Sequence, residues 1–383
     1  MKKLFFVIAM TLTVSAFALP CVSASASAGA GEITARSAYL MDYNSGTVIY
    51  AKNENDRLTI ASMTKIMLLD LCYEKLEAGE FTLDEEIRVS KTASGMGGSQ
   101  VFLEADKNYK ASELLKSITV ASANDASVAM AERLYGSEQN CVDEMNKKCE
   151  EWGLRDTLFS NCTGLPKPTQ YSCAKDVAVM LKNLLKHKEY FTFSKIWTDK
   201  IEHAGGRNTE ISNTNKLIRF YDGCDGGKTG YTTESGFCLA ASAKRGATRL
   251  VSVIINASDS KTRFKETSEL LDYGFDNYAT KMVVDCEKPL DIAVNVSRGK
   301  QKSVKVIPEE NVYIFSQRNK KDAVDIDFVP EQAVAPVLKG DVVGRLVVYK
   351  DNVEYASVNV LACEDVEKKT YFDYIKDVSA NWE

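Results

Sequence analysis

The spacing of apolar residues changes near residue 280, and this change divides the chain into two regions of different fold. Before that point, runs with helical spacing separate two groups of strand-like runs, at residues 35–52 and 237–255. After it, helical spacing disappears and short alternating runs follow, including a predicted hairpin over residues 342–361. The pattern predicts a mixed α/β (α+β) domain over residues 32–278 and a smaller all-β sandwich domain over residues 281–363.

The first 28 residues have the composition of a secretory signal peptide. Lys2 and Lys3 precede a nearly unbroken apolar run over residues 4–18, and small residues alternate over 23–28. This order of charged, apolar and small residues is typical of a leader that is removed on export. We therefore expect an exported protein that acts on the extracellular side of the membrane.

The last segment, residues 366–383, is predicted to be an amphipathic tail. Six residues fall on one face at helical spacing: Tyr371, Phe372, Tyr374, Ile375, Val378 and Trp382. Such a face fits either a membrane surface, which would make the protein peripheral at the outer face of the cytoplasmic membrane, or docking on the protein itself. The segment carries similar numbers of acidic and basic residues, so attraction to anionic lipid is expected to be weak.

Composition argues against several classes of protein. The chain has 383 residues and a formal net charge of −5, whereas a nucleic-acid partner needs a basic face. It has two histidines and no Cys-x-x-Cys pair, so the spacing of a zinc site is absent and no metal or cofactor is predicted. Removing Cys21 with the leader leaves an odd number of cysteines, most of which we expect to be buried.

The start of the first long helix carries a serine and a lysine three residues apart, Ser62 and Lys65. This spacing places both side chains on one face of a helix. A serine needs a base to become a nucleophile, and a desolvated lysine beside other cations loses its proton near neutral pH. The same spacing recurs elsewhere in the chain, so this motif alone does not identify a site.

Two further motifs follow in chain order. Ser122 and Asn124 lie among residues 111–134, whose apolar residues have helical spacing. Lys228-Thr229-Gly230 directly precedes a predicted strand. Lys228 and Thr229 offer a cation and a hydroxyl to a carboxylate, and Gly230 allows a substrate backbone to approach the strand closely. The ordered trio of motifs is the one found in β-lactamases and penicillin-binding proteins.

The two histidines do not favour a serine–histidine–aspartate site. His187 lies in a polar, lysine-rich run, and His203 lies beside Gly205 and Gly206. We therefore predict that both are surface residues.

Longer stretches around the motifs resemble the D-alanyl-D-alanine carboxypeptidases among the low-molecular-mass penicillin-binding proteins. The resemblance covers most of residues 35–276 and extends more loosely into the β-rich region. The stretches that carry it are Ile60 to Met67, Gly97 to Gln100, Val120 to Ala126, Phe159 to Asn161 with Gly164-Leu165, Asn213 to Leu217, and Asp225 to Thr232.

The resemblance implies a β-lactamase/transpeptidase-like fold and a role for each matching residue. Ser62 attacks the peptide bond between two D-alanines, and Lys65 takes its proton. Ser122, Asn124 and Lys228 relay protons and hold the peptide. The residues implied to bind the substrate are Thr229 and Arg263 for the terminal carboxylate, Gly230 on the strand edge, and Tyr231, whose backbone N–H joins that of Ser62 in an oxyanion hole.

The partners implied are a peptidoglycan stem peptide that ends in D-Ala-D-Ala and the β-lactam antibiotics. One departure is Thr214, which stands where some relatives carry an arginine, so a second carboxylate contact is in doubt. Arg263 could instead be a solvated arginine at a helix start.

Three other functions remain open on the same scaffold. A class A β-lactamase needs a glutamate for deacylation, and no Glu-x-x-x-Asn lies between Ser122 and Lys228. A penicillin-binding sensor that does not turn over would carry a membrane-spanning segment. A D,D-endopeptidase differs only in the amine that leaves, so the sequence does not separate it from a carboxypeptidase.

Overall fold

The computed structural model describes residues 31–380 and the side chains of residues 31–377, so the predicted leader lies outside the described part. The first region begins with two strands, and helices then separate and cover the strands. The helices are α1 (Lys65–Glu77), α2 (Lys91–Ser94), α3 (Ala111–Lys116), α4 (Asn124–Tyr135), α5 (Glu138–Glu151), α6 (Ala174–Leu184), α7 (Tyr190–Ser194), α8 (Leu217–Phe220) and α9 (Ser260–Asn277). The strands are β1 (Ser37–Asp42), β2 (Val48–Lys52), β3 (Glu86–Arg88), β4 (Asn108–Lys110), β5 (Thr198–Glu202), β6 (Asn208–Ser212), β7 (Cys224–Thr232), β8 (Gly236–Arg245), β9 (Thr248–Ala257) and β10 (Tyr278–Val284).

Five of these strands form one antiparallel sheet in the order β2-β1-β9-β8-β7. Helix α9 covers one face, and α1 with α6 covers the other. Residues of β9 alternate between the two cores: Val251 and Val253 face α1 and α6, while Leu250 and Ile254 face α9. Burial on both faces explains why this strand is almost continuously apolar in sequence. The predicted mixed α/β fold is confirmed, and β7 lies at an edge of the sheet.

The helix predicted over residues 111–134 is interrupted, and that part of the prediction is wrong. A wider π-type turn covers Ser117–Ala121, and Ser122 adopts a left-handed conformation with φ of 64° before α4 begins. The backbone N–H of Asn124 donates to Ser99 O at 2.7 Å. This contact with a distant loop takes the place of a local helical bond, which the residue pattern does not reveal.

The β-rich region forms a curled six-stranded sheet around a core of valines. The predicted hairpin is confirmed, and its turn at Asp351 and Asn352 has positive φ at both residues, as a two-residue hairpin requires. Strand β10 pairs with a strand of this region. The remaining strands are β11 (Ala293–Ser297), β12 (Ser303–Pro308), β13 (Val312–Gln317), β14 (Val324–Pro330), β15 (Ala333–Val334), β16 (Val342–Lys350) and β17 (Val353–Ala362).

The two regions contact each other at the end of α9. Strand β10 continues from that helix and pairs with β13, and the rings of Tyr278 and Phe315 stack 5.1 Å apart. Thr280 Oγ1 donates to the buried carboxylate of Asp42 at 2.9 Å. The domain boundary predicted between residues 278 and 281 therefore falls inside strand β10. The division of the chain into two domains at this point stays a prediction.

The last described element is α10 (Tyr371–Ala380). Tyr371 and Phe372 are about three-quarters exposed, at 75% and 73%. Within residues 31–380 no helix combines the length and the apolar composition that crossing a bilayer requires. The helix therefore presents an aromatic face to solvent.

Both histidines are buried, so the prediction that they are surface residues is wrong. His187 lies between two carboxylates, with Nε2 3.3 Å from Asp70 Oδ1 and Nδ1 2.9 Å from Glu77 Oε1. His203 lies between the hydroxyls of Tyr109 and Thr209, at 2.8 Å from each. Three of the four contacts come from distant parts of the chain, Asp70 and Glu77 for His187 and Tyr109 for His203, which the polar local sequence conceals.

The cysteines of the described residues are all free thiols. Most of them are buried, as the sequence predicts. Burial raises the pKa of the thiols of Cys141, Cys149 and Cys173 to about 12, so at neutral pH they are protonated, apolar side chains. The buried ones are Cys72, Cys141, Cys149, Cys162, Cys173 and Cys238.

Candidate active site

The serine and lysine of the first motif meet at the start of α1. A short turn, Ala61–Thr64, precedes the helix, and Lys65 is completely buried. Its Nζ lies 3.1 Å from Ser62 Oγ and donates a hydrogen bond to Thr163 O. The geometry therefore places an amine within hydrogen-bond reach of the serine hydroxyl, as a general base requires.

Burial changes the proton affinity of that amine. Removal from water lowers the pKa of Lys65 to about 7, and the nearby Cys162 and Asp125 oppose this shift only in part. A substantial fraction of the amine is then neutral near neutral pH. The sequence predicted a desolvated lysine, and the structure gives the cause of its desolvation.

The second motif contributes two polar atoms without partners among the described residues. Ser122 Oγ and Asn124 Oδ1 are buried and accept or donate no hydrogen bond there. Asn124 Nδ2 donates to Gly97 O at 2.7 Å, which fixes the amide plane. Unpaired buried polar atoms are unfavourable, so their persistence here is typical of groups that bind substrate.

The third motif supplies a second buried amine. Lys228 is 1% exposed, and its Nζ donates to Thr229 O at 3.1 Å. Burial lowers its pKa well below the usual value, and the positive charges of Lys65 and Arg263 lower it further. The first and third motifs are therefore electrostatically coupled, although they lie far apart in sequence.

Gly230 lets strand β7 lie directly against the serine. A Cβ atom there would be 2.5 Å from Ile60 O and 3.3 Å from the backbone nitrogen of Ser62. No other residue type fits this approach without displacing the turn. The edge strand and the amide of Ser62 are thus neighbours, which is the arrangement predicted for an oxyanion hole with Tyr231.

A second glycine, Gly164, closes the other side of the turn. A Cβ atom there would be 2.1 Å from Ala61 O, and the residue has φ of 83°. Asn161 Oδ1 accepts from the N–H of Gly164 at 2.7 Å and from that of Thr163 at 3.2 Å. This loop holds the carbonyl that binds Lys65.

Sequence reasoning missed the carbonyl of Thr163 and the role of Asp125. A backbone carbonyl has no side-chain signal, so no motif could have identified it. Asp125 is fully buried and accepts from the N–H groups of Val101 and Leu103 at 3.1 and 3.0 Å, which shapes the loop beside Asn124. An aspartate at the start of an apolar helix was the available signal, because a buried carboxylate there needs backbone donors.

Arg263 is buried, so the alternative of a solvated surface arginine is wrong. It is 7% exposed, and its Nη1 donates to Gly230 O at 3.2 Å and to Cys238 O at 3.1 Å. Burial lowers its pKa to about 10, so it remains charged at neutral pH. It supports the backbone of β7 from behind, and its contact with a substrate carboxylate stays a prediction.

The remaining predicted residues lie along the same edge. Thr229 is 7% exposed, whereas Tyr231 is 57% exposed and its ring lies 4.3 Å from that of Phe237. Thr214 donates its backbone N–H to Val120 O at 3.1 Å and so lies close to the turn before Ser122. Within residues 31–380, no group of three or more His, Cys, Asp or Glu side chains is placed to hold a metal ion.

Two family models match the chain. One, described as D-alanyl-D-alanine carboxypeptidase, matches residues 22–259. The other, described as the C-terminal domain of penicillin-binding protein 5, matches residues 280–368.

Curated relatives align over nearly the whole chain. The D-alanyl-D-alanine carboxypeptidase DacF of Bacillus subtilis is 40% identical over 351 residues, which cover 91% of this chain and 90% of the relative. The D-alanyl-D-alanine carboxypeptidase DacA of Haemophilus influenzae is 32% identical over 356 residues, 90% of this chain and 88% of the relative.

Solved structures share the fold. Penicillin-binding protein 5 from Haemophilus influenzae has a TM-score of 0.70 at 30% identity, covering 88% of this chain and 98% of that chain. A peptidoglycan synthesis regulatory factor from Streptococcus pneumoniae has a TM-score of 0.72 at 28% identity, covering 88% of this chain and all of that chain.

A buried lysine beside a helix-start serine, facing an edge strand, is typical of the serine enzymes that react through an acyl-enzyme. The chain belongs to the D-alanyl-D-alanine carboxypeptidase family, and it is a serine-type carboxypeptidase of that family.

Proposed function

We propose that this protein removes the terminal D-alanine from peptidoglycan stem peptides through an acyl-enzyme on Ser62. One observation carries the proposal: a buried amine with a pKa of about 7 lies 3.1 Å from the serine hydroxyl. Neutral Lys65 can take the hydroxyl proton as Oγ attacks the carbonyl between the two D-alanines. The resulting alkoxide would be stabilised by the N–H groups of Ser62 and Tyr231, a contribution of about 10²–10³ in rate per donor.

Collapse of this intermediate breaks the C–N bond, and the departing amine needs a proton. Ser122 Oγ, which has no other partner among the described residues, is suited to pass the proton from Lys65 to that nitrogen. Lys228 would support this transfer as a second buried amine, whose pKa the charge of Lys65 lowers. Free D-alanine leaves, and water then attacks the ester with Lys65 as base, which regenerates Ser62.

Thr229 and the cation behind β7 suit the carboxylate end of the peptide. The hydroxyl of Thr229 can donate to one carboxylate oxygen, and the positive charge of Arg263 favours an anion at this end of the strand. Asn124 can use its free Oδ1 to accept from the peptide backbone. A β-lactam would acylate the same serine, but its leaving amine stays tethered by the opened ring and slows hydrolysis.

The proposal extends to location and to the second region. Export by the leader at residues 1–28 would bring the enzyme to the cell wall. The exposed aromatic face of α10 suits the surface of the membrane, and the β-rich region would then act as a spacer between that surface and Ser62. Because this helix has little net charge, its affinity for a membrane would come mainly from burial of its apolar side chains.

The test uses residues 32–383 and the Ser62→Ala variant, with a fluorescent penicillin and a peptide ending in D-Ala-D-Ala. We expect covalent label that requires Ser62, slow loss of that label, and release of D-alanine. Rapid loss of label without D-alanine release would indicate a β-lactamase. Stable label without any release would indicate a penicillin-binding sensor, and release only from cross-linked peptides would indicate an endopeptidase.

A further inference from the structure

Arg263, near the start of α9, links the backbones of two neighbouring strands close to Ser62. Gly230 on β7 and Cys238 on β8 lie opposite each other in the antiparallel pair. Nη1 of Arg263 donates to the carbonyl oxygens of both residues, at 3.2 and 3.1 Å. This nitrogen carries two hydrogens, so both of its donors are already used by the fold.

The carbonyl of Gly230 belongs to the same peptide group as the backbone N–H of Tyr231. A peptide group is planar, and in its trans form the C=O and the N–H point in opposite directions. This peptide bond is trans. The bond from Arg263 to the carbonyl of Gly230 therefore also fixes the direction of the N–H of Tyr231, which points away from the arginine. This N–H is the one predicted to join that of Ser62 in the oxyanion hole.

The positive charge of Arg263 is held between aromatic rings. Its guanidinium carbon lies 4.6 Å from the ring centroid of Phe264 and 5.5 Å from that of Phe237, against which the ring of Tyr231 packs. Aromatic faces attract a cation and hold the plane of a guanidinium. No carboxylate of the described residues contributes to the pKa of Arg263, which burial lowers to about 10. The group is therefore charged at neutral pH and acts with its full charge on the carbonyls that it contacts.

A charged donor polarises the peptide group to which it binds. Hydrogen bonds from ionised donors are about twice as strong as neutral ones. Bonds in sequence also strengthen one another, by roughly 10–30% each. The N–H of Tyr231 thus becomes a stronger donor on the opposite side of the peptide group. Negative charge develops there when Ser62 attacks a carbonyl.

We propose that Arg263 is a positioning residue for the oxyanion hole, which orients and polarises the N–H of Tyr231 through the carbonyl of Gly230. This role rests on the proposed function, and it differs from the contact with the substrate carboxylate that the resemblance implies. It acts on every substrate that acylates Ser62. A role in binding the carboxylate would affect only substrates that carry one.

Two thioester substrates separate these roles. Both carry an acyl-D-alanyl group on sulfur, and the leaving thiol is thioglycolate in one and its methyl ester in the other, so only the first has a carboxylate. Thiol release gives kcat/KM for the parent and for Arg263→Met, which keeps the length of the side chain and removes its charge and donors. Hydrolysis in the presence of Ser62→Ala is subtracted as background. We expect the same loss on both substrates, about 10- to 100-fold, because complete loss of one oxyanion donor costs about 10²–10³.

A spectroscopic measurement reports on the oxyanion hole directly. Hydrogen bonds to an ester carbonyl lower its stretching frequency, so the infrared carbonyl band of the acyl-enzyme formed with a penicillin should lie at higher frequency in Arg263→Met than in the parent. The matched control is Arg318→Gln, which removes an arginine that donates to a backbone carbonyl outside the site, Phe275 O, at 2.8 Å. It should keep the rates and the band of the parent.

If the melting transition shows that Arg263→Met does not fold, Arg263→Lys takes its place and is judged in the same way, because it keeps the charge but lacks the planar donors. An unchanged carbonyl band, no loss on either substrate, or a loss confined to the substrate with a carboxylate overturns the inference and leaves the proposed function intact. Failure of the parent to release D-alanine from a peptide ending in D-Ala-D-Ala overturns both.

Discussion

Lys65 is the residue whose surroundings decide the chemistry. It has no carboxylate partner within salt-bridge distance among the described residues, and burial lowers its pKa to about 7. An exposed lysine would be protonated at neutral pH and could not accept the proton of Ser62. The carbonyl of Thr163 orients the amine without neutralising it, so the same side chain can hold and release a proton.

Acylation should therefore depend on pH through Lys65. The neutral, reactive form grows as the pH rises through about 7, so the rate of labelling by a fluorescent penicillin should rise about tenfold per unit below that value and level off above it. Stopped-flow labelling between about pH 5.5 and 8.5 measures the profile. Lys65→Arg should be inactive at every pH because arginine keeps its charge. A flat profile for the parent would contradict the role of Lys65 as base.

At the scale of elements, the sequence predicts the frame of the site better than its fine geometry. The spacing of apolar residues predicted α6, β8 and β9, because each buries a long, regular face. It did not predict the break between α3 and α4, since residues 117–126 have helical composition and the break depends on a bond from Asn124 to Ser99. The left-handed conformation of Ser122 is a tertiary effect of the same kind.

Helix α1 carries a second charged cluster, eight residues and more beyond the serine. Asp70 is buried, and the ring of His187 lies 6.0 Å from that of Tyr73. Burial opposes the charged form of the histidine, but the bonds to Asp70 and Glu77 outweigh it and raise its pKa. Further charges near Asp70 are Glu74 and Lys148.

This cluster predicts a loss of stability with rising pH. The native state binds the proton of His187 more tightly than the unfolded chain, so the stabilisation is complete below about pH 6.5 and disappears as the pH rises through the higher native pKa. Burial also raises the pKa of Asp70. The stability that depends on this carboxyl is likewise lost as the pH rises, but at a lower pH than for His187. Melting temperatures between about pH 6 and 8 should fall less in His187→Gln than in the parent.

The other histidine, His203, provides a control because its pKa is shifted in the opposite direction. Burial lowers the pKa of His203, so its native state is neutral and its contribution is lost as the pH falls. The variant His203→Gln should keep the loss of stability at high pH. An equal loss in the parent and in His187→Gln would contradict the assignment to the cluster on α1.

For the whole molecule, the exposed aromatic face of α10 predicts membrane binding independent of catalysis. Truncation after residue 368 should abolish co-sedimentation with vesicles of neutral phospholipid and leave D-alanine release from a soluble peptide unchanged. A milder variant is Phe372→Ser, which removes one of the most exposed aromatic side chains. Equal sedimentation of the parent and the truncated protein would contradict a role of this helix at the membrane.

The free thiols of the described residues make refolding of the protein sensitive to oxygen. In the folded protein the buried ones are shielded from oxidants in solution. Once the chain opens, they become nucleophiles that can join in many wrong pairings, and each pairing traps the chain away from its native state. Heating in air should thus destroy the enzyme permanently, whereas the same heating under a reductant leaves it able to refold.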